Sequence, residues 1–250
     1  AMDIDAKITG MLATTTLTQE YKNVHALPLE ATYIFPLPSR AAVTKFTLQV
    51  GKRRIEGILK ERGQARQEYD DAIASGHRAA ITEEERPGVF TMRVGNIDAK
   101  ESVKVTLRMT GPLPYSDGEA TYRFPLVVAP RYIPGTPIDG EQVGDGVATD
   151  TDDVPDASRI SPPILLPGFK NPIKLGLVVR VDAAGLNLKE VSSSLHAIST
   201  RKRKYTTIRL KEEERLNKDF ILRLAYGDES VTTGLVTHKN DDEEEGTFLL

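Results

Sequence analysis

Val43-Thr44-Lys45-Phe46-Thr47-Leu48-Gln49-Val50 is the clearest apolar/polar alternation in the chain. A period of two puts alternate side chains on opposite faces of a strand, so this run reads as a half-buried β-strand. Gly51-Lys52 then turns the chain into Arg53 to Lys60, and the two runs read as a hairpin. The same signal recurs on both sides. Upstream lie Ile4 to Thr9, the Thr-rich Met11 to Thr18, and Ala31 to Phe35, stopped by Pro36 and Pro38. Proline has no N–H for a ladder, so both sit best at strand ends. Downstream come Val89 to Val94 with Gly95-Asn96 read as a turn, then Val103 to Met109 and Tyr122 to Leu126. Many short strands separated by turn signals point to a sandwich or barrel.

One segment breaks the pattern. Between Glu61 and Ser75, Ala65, Tyr69, Ala72 and Ile73 share one helical stripe, and Gly76 is placed to stop the helix. Residues 136–159 then carry Asp139, Glu141, Asp145, Asp150, Asp152, Asp153 and Asp156 against the single base Arg159. With little to bury, this stretch reads as a mobile loop or linker, closed by Pro162, Pro163 and Pro167. Strand signals resume at Leu175 to Val181, Glu190 to Ile198, Tyr205 to Leu210 and Phe220 to Tyr226. The expected fold class is all-β: an antiparallel β-sandwich with one amphipathic helix over 1–135, an acidic and Pro-rich loop or linker over 136–165, and a second β-rich lobe over 166–250.

Composition narrows the function classes. The 250 residues are 39% hydrophobic and 28% charged, a globular balance. Basic residues number 33 against 36 acidic, which lacks the basic excess of a dedicated nucleic-acid binder. Absence of cysteine excludes disulfides, thiolate metal sites and cysteine nucleophiles. No apolar run approaches the roughly 20 residues that span a bilayer. No charged-then-apolar leader opens the chain, and Ala1 reads as a tag remnant.

Three ordered groups of residues carry a family resemblance. The first is Tyr33-Ile34-Phe35-Pro36-Leu37-Pro38 with Ala42-Val43 and Phe46. The second is Gly51 with Arg53-Arg54, Gly57, and the helix bearing Ala65, Tyr69, Ala72 and Gly76. The third is Phe90, Val94-Gly95-Asn96-Ile97, Phe124-Pro125-Leu126 and Pro130-Arg131-Tyr132. Together they resemble the VIT domain, the vault protein and inter-alpha-trypsin inhibitor heavy-chain domain. The resemblance implies a β-sandwich and, downstream, a von Willebrand factor type A domain, with Thr247-Phe248-Leu249-Leu250 read as the strand leading into it. The metal motif of a type A domain, Asp-x-Ser-x-Ser, does not occur in these residues. An extracellular or cell-surface setting follows from the resemblance, and the lack of cysteine and of a leader is equally compatible with the cytoplasm. The signature residues have structural jobs in view: glycines for turns, prolines at strand ends, and Tyr69 with a buried ring and a partnered hydroxyl.

Candidate chemistry is sparse. His77 follows the helix stop, where a loop histidine is the plain reading and a general base the sharper one. Ser194 and His196, two apart, would share a face if they lie on a strand, but a triad also needs an orienting acid and an oxyanion hole. Asp150, Asp152 and Asp153 invite a calcium reading, although the glycine and distal glutamate of an EF-hand loop are missing. Arg201-Lys202-Arg203-Lys204 is the one dense basic patch, read as a solvated hairpin turn or an attachment point for an acidic partner. The expected function is a non-catalytic, cofactor-free interaction module that binds proteins and docks a type A domain. The alternatives are a calcium-binding β module, or a hydrolase using His77 or the Ser194/His196 pair.

Overall fold

The computed structural model describes residues 1–38, 40–58, 60–86, 89–126, 132–144, 146–161, 174–211, 218–227, 236–238 and 246–249. The first half runs β1 (Met2–Thr9), β2 (Leu12–Lys22), β3 (Leu29–Pro36), β4 (Ala42–Val50), β5 (Arg53–Glu56), α1 (Arg62–Ala74), β6 (Ala79–Arg86), β7 (Val89–Ile97), β8 (Ser102–Pro112), β9 (Tyr115–Ser116) and β10 (Glu119–Phe124). After the short helix α2 (Ala157–Ile160) come β11 (Leu175–Asp182), β12 (Leu188–Ser193), β13 (Ile198–Lys202), β14 (Thr206–Leu210), β15 (Phe220–Tyr226), β16 (Val236–His238) and β17 (Thr247–Leu249). The chain is mostly β, as its alternation requires.

An eight-stranded sheet in the order β13-β14-β11-β1-β2-β8-β4-β5 forms the floor of the molecule. A four-stranded sheet, β12-β15-β10-β9, and a three-stranded sheet, β3-β7-β6, accompany it, with β16 and β17 paired separately. Period-two burial explains the layering. In β1 Met2, Ile4, Ala6 and Ile8 are buried while Asp3, Asp5 and Lys7 face out, and in β8 Val103, Val105, Leu107 and Met109 are buried. These side chains meet Ala120, Tyr122 and Phe124 of β10 and Phe220, Leu222 and Leu224 of β15 in one continuous core. The Thr15 and Tyr122 hydroxyls join across it at 2.9 Å, so the buried polar tip of the tyrosine is satisfied.

The second β region expected after residue 166 is present as β11 to β15, and it is hydrogen-bonded to the first. β11 pairs in parallel with β1 along eight residues, from Met2 opposite Leu175 to Thr9 opposite Asp182, while β15 pairs antiparallel with β10. Each of the two larger sheets is therefore built from both halves of the chain.

Three local readings need correction. The Val43–Val50 alternation is out of phase at Val43, which has odd parity while Phe46, Leu48 and Val50 are even. That phase break coincides with a register shift between Val43 and Lys45 in the ladder to β8, and it leaves Val43 41% exposed. Gly95-Asn96 is not a turn but lies inside β7. The acidic stretch is also more ordered than a mobile linker. Pro137 bridges Thr151, and Asp150 is buried, its carboxylate accepting the Ser158 N–H at 2.7 Å and the Val143 N–H at 2.8 Å. A burial pattern that low hydrophobicity hides is supplied here by backbone amides folding around a carboxylate.

Candidate interaction surface

Four of the VIT-like signature residues, Tyr69, Gly76, Gly95 and Asn96, meet at the junction between α1 and the three-stranded sheet. Glu61 caps the helix start, its carboxylate accepting from the Gly63 and Gln64 amides at 2.9 and 3.0 Å. At the other end Gly76 takes φ +75°, its N–H donates to the Ile73 carbonyl at 3.0 Å, and the His77 N–H donates to the Ala72 carbonyl at 2.8 Å. This is the doubly bonded helix stop that glycine permits. The Asn96 side-chain amide then donates to the Ile73 and His77 carbonyls at 3.0 and 2.8 Å, closing carbonyls at the helix end. Asn96 itself sits at φ +53°, a left-handed conformation that Asn tolerates better than most residues. Nothing in the sequence pattern announced this capping role, although the Gly-Asn dipeptide marked an unusual backbone.

The helix lies close to the strand. A Cβ on Gly95 would stand 2.2 Å from Ile73 Cδ1 and 2.9 Å from the Tyr69 hydroxyl, so glycine there is a packing requirement. Tyr69 is the one buried residue of α1, and its hydroxyl donates to Glu30. Burial, reinforced by the Glu30 carboxylate, pushes its phenol well above the usual tyrosine range. The Arg93 guanidinium covers the Tyr69 ring at 4.9 Å. Beside it the buried Glu83 carboxylate faces Arg66 Nε at 2.6 Å, Arg62 Nε at 3.3 Å and Arg93 at 3.6 Å. This cluster fastens the helix to β6 and β7.

The other signature positions are structural or outlying. Leu37 and Phe124 are buried, Phe90 packs against the core, and Pro36 and Pro125 sit at strand ends. Gly51 turns β4 into β5 at φ +56°, and a Cβ on Gly57 would lie 2.4 Å from the Phe46 ring. Phe35 lies in β3, Tyr132 is 90% exposed, and Arg131 falls outside the described residues.

No catalytic set assembles from the residues weighed above. His77 is exposed, with its backbone committed to the helix end. Ser194 and His196 lie on a bend and not on a strand. Ser194 is exposed, whereas His196 is 4% exposed with its ring 5.8 Å from that of Phe220, so the two do not share a face. Among the described residues no three His, Cys, Asp or Glu side chains come together as a metal site. Both Asp150 oxygens accept backbone amides, and Asp152 Oδ1 accepts those of Thr136 and Asp153.

The basic tetrad is different because it stays on the surface. Arg201 and Lys202 end β13, and Arg203 and Lys204 form the turn into β14. All four are exposed, and Lys204 Nζ lies 5.5 Å from the Tyr205 ring centre. An open cavity of about 320 Å³ separates this turn from the β11–β12 turn.

Comparison with known proteins agrees with the first half of this architecture. The family model of the vault protein inter-alpha-trypsin domain, VIT, matches residues 1–109. Mouse protein mono-ADP-ribosyltransferase PARP4 is 34% identical over 130 residues, which is 52% of this chain and 7% of that protein. Mouse von Willebrand factor A domain-containing protein 5A is 34% identical over 134 residues, 52% of this chain and 17% of the relative. The chain thus spans less than a fifth of the length of these relatives. A solved M1 zinc metallopeptidase from Deinococcus radiodurans superposes on 99% of this chain and 45% of its own at 10% identity and a TM-score of 0.38, too loose a likeness to bear on function. Among the described residues, no helix is long and apolar enough to cross a membrane. With the helix clamp, the glycine-dependent packing and the family match all falling in the same stretch, residues 1–109 of this chain are a VIT domain.

Proposed function

We propose that this chain is a non-catalytic interaction module whose VIT domain docks or presents a von Willebrand factor type A domain and binds other proteins. The observation that carries the reading is how the chemistry-bearing residues are used. Glu83, Asp150, Tyr69 and Asn96 are all committed to holding backbone or helix in place. Among the exposed groups, the cations Arg201 to Lys204 and the sheet edge beside them suit recognition. The names of the matched von Willebrand factor A domain-containing relatives support the choice of neighbour.

The test is thermal unfolding of this chain with and without a type A domain taken from a VIT-containing relative, supplied both in trans and fused after Leu250. Binding to the folded state alone raises the melting temperature by mass action. A concentration-dependent rise with co-elution supports the reading. No rise in either format, with the type A domain itself folded, removes it. A hydrolase screen on the same samples with His77→Ala and His196→Ala closes the enzymatic alternative if no activity depends on either residue.

A further inference from the structure

The two edges of the large sheet are charged in different ways. At the β5 edge, Glu56 lies 2.7 Å from Lys45 Nζ of β4 and 3.9 Å from Arg54, so two of the cations there are answered within the chain. The opposite edge is β13. Among the described residues β13 pairs with β14 alone, and Ser199 through Lys202 are exposed. No carboxylate among the described residues pairs with Arg201, Lys202, Arg203 or Lys204. The cavity at the end of this hairpin is lined by Lys202, Arg203, Lys204, Asn187, Thr206 and apolar side chains, with no acidic group. The nearby Asp182 carboxylate is turned to its own loop, accepting the Ala184 N–H at 3.0 Å.

An edge strand presents a row of unsatisfied backbone donors and acceptors, and cations along it repel a second copy of the same edge. Protection against self-pairing is therefore the plain reading of the tetrad. The same charges make the edge complementary to an extended segment that carries carboxylates. We infer that β13 is a strand-addition site for an acidic, extended peptide of a partner protein. The peptide backbone completes the β13 ladder, its carboxylates on the cavity face meet Lys202 and Lys204, Arg201 adds positive charge on the opposite face, and the cavity beside Lys202 receives one of its side chains. A free phosphate would use the charge but leave the backbone edge idle, which is why a peptide is favoured. The site is separate from the type A domain reading and stands or falls independently of it.

The probe is a fluorescein-labelled peptide of alternating Glu and Val, titrated with the full chain by fluorescence polarisation. Its Gln-for-Glu counterpart and a version N-methylated at alternate backbone nitrogens serve as controls. The acidic peptide should bind, and Arg201→Glu combined with Lys202→Glu and Lys204→Glu should weaken it by at least about tenfold, since exposed charge complementarity sets encounter and register. N-methylation on the pairing face should weaken it comparably, because it removes ladder donors without changing charge. The three substitutions lie on exposed positions, and an unchanged circular dichroism melt verifies the fold. Binding that survives charge reversal places the peptide elsewhere and overturns the proposal. Binding indifferent to N-methylation, or fully displaced by inorganic phosphate, reduces the site to a point-charge anion site and overturns strand addition equally.

Discussion

Cutting the chain after residue 135 should unfold the VIT domain, even though the family match ends at residue 109. The reason is the shared core. Truncation removes β11, which covers the full length of β1, and β15, which pairs with all of β10. Ile4, Ile8, Leu17, Tyr122 and Phe124 then lose neighbours that keep each of them at 2% exposure or less. Full burial of such a side chain is worth about 1.5–3 kcal/mol, so losing half of it at these positions costs roughly 4–8 kcal/mol. A whole domain is stable by only about 5–15 kcal/mol, and the lost ladders add to the deficit. The assay is urea unfolding of residues 1–135 followed by circular dichroism, beside residues 1–250. The fragment should show no cooperative transition alone and should regain one when a separately made 174–250 fragment is added. A sigmoidal transition for 1–135 with the midpoint of the longer chain would refute the shared-core argument and restore two independent units.

Other outcomes follow from the helix clamp and the titrating groups. Gly95→Ala should cost about 1–3 kcal/mol by overpacking, and Ile73→Val, which removes the clashing methyl, should recover part of it in a double-mutant cycle measured by urea unfolding. Glu83→Gln should cost about 1–2 kcal/mol, less than a fully buried pair because its arginines are partly solvated, and the loss should shrink in an Arg66→Ala background; an undiminished loss in that background counts against the ion pair. Burial pushes the Tyr226 phenol up to about 12 and moves those of Tyr122 and Tyr69 in the same direction. Stability from these groups is therefore complete below the unfolded value near pH 10 and is lost as pH rises beyond it, so the last part of the phenolate absorbance should appear only together with loss of circular dichroism. Ionisation of all eight tyrosines with the fold intact contradicts this. For Glu101, burial raises its pKa, but the Arg78 guanidinium at 2.7 Å and the Asp98 N–H outweigh it and hold the carboxyl below its usual range. Its contribution is present above the unfolded value near 4.3 and fades as pH falls through the lower folded value, so Glu101→Gln should flatten the acid limb of the melting-temperature profile.

Much of the local structure was legible before any coordinates. The helix and its glycine stop follow from Ala65, Tyr69, Ala72, Ile73 and Gly76, because a 3.6-residue period and a left-handed stop are written in residue type. The strands follow from alternation, and even the β4 bulge shows as the slip in phase at Val43. The candidate sites were less legible. Ser194 and His196 look adjacent in sequence, yet a bend sends one to solvent and the other into the core. Asp150 looks like one more solvated acid, yet its oxygens are taken by amides seven and eight residues on either side. Asn96 looks like a turn residue, yet it caps a helix 19 to 23 residues away.

The sequence by itself determined the β class, the position of the helix between Glu61 and Gly76, the VIT resemblance and the absence of cysteine chemistry, because each is a matter of residue type and short-range period. Only the tertiary structure decided that β11 lies parallel to β1, that β15 pairs with β10, and that the Arg201–Lys204 hairpin lies at the edge of the large sheet among the described residues. Strand partners are chosen by which apolar faces can be buried together across more than 150 residues of chain, from Met2 to Leu175, and alternation marks a face without naming its partner.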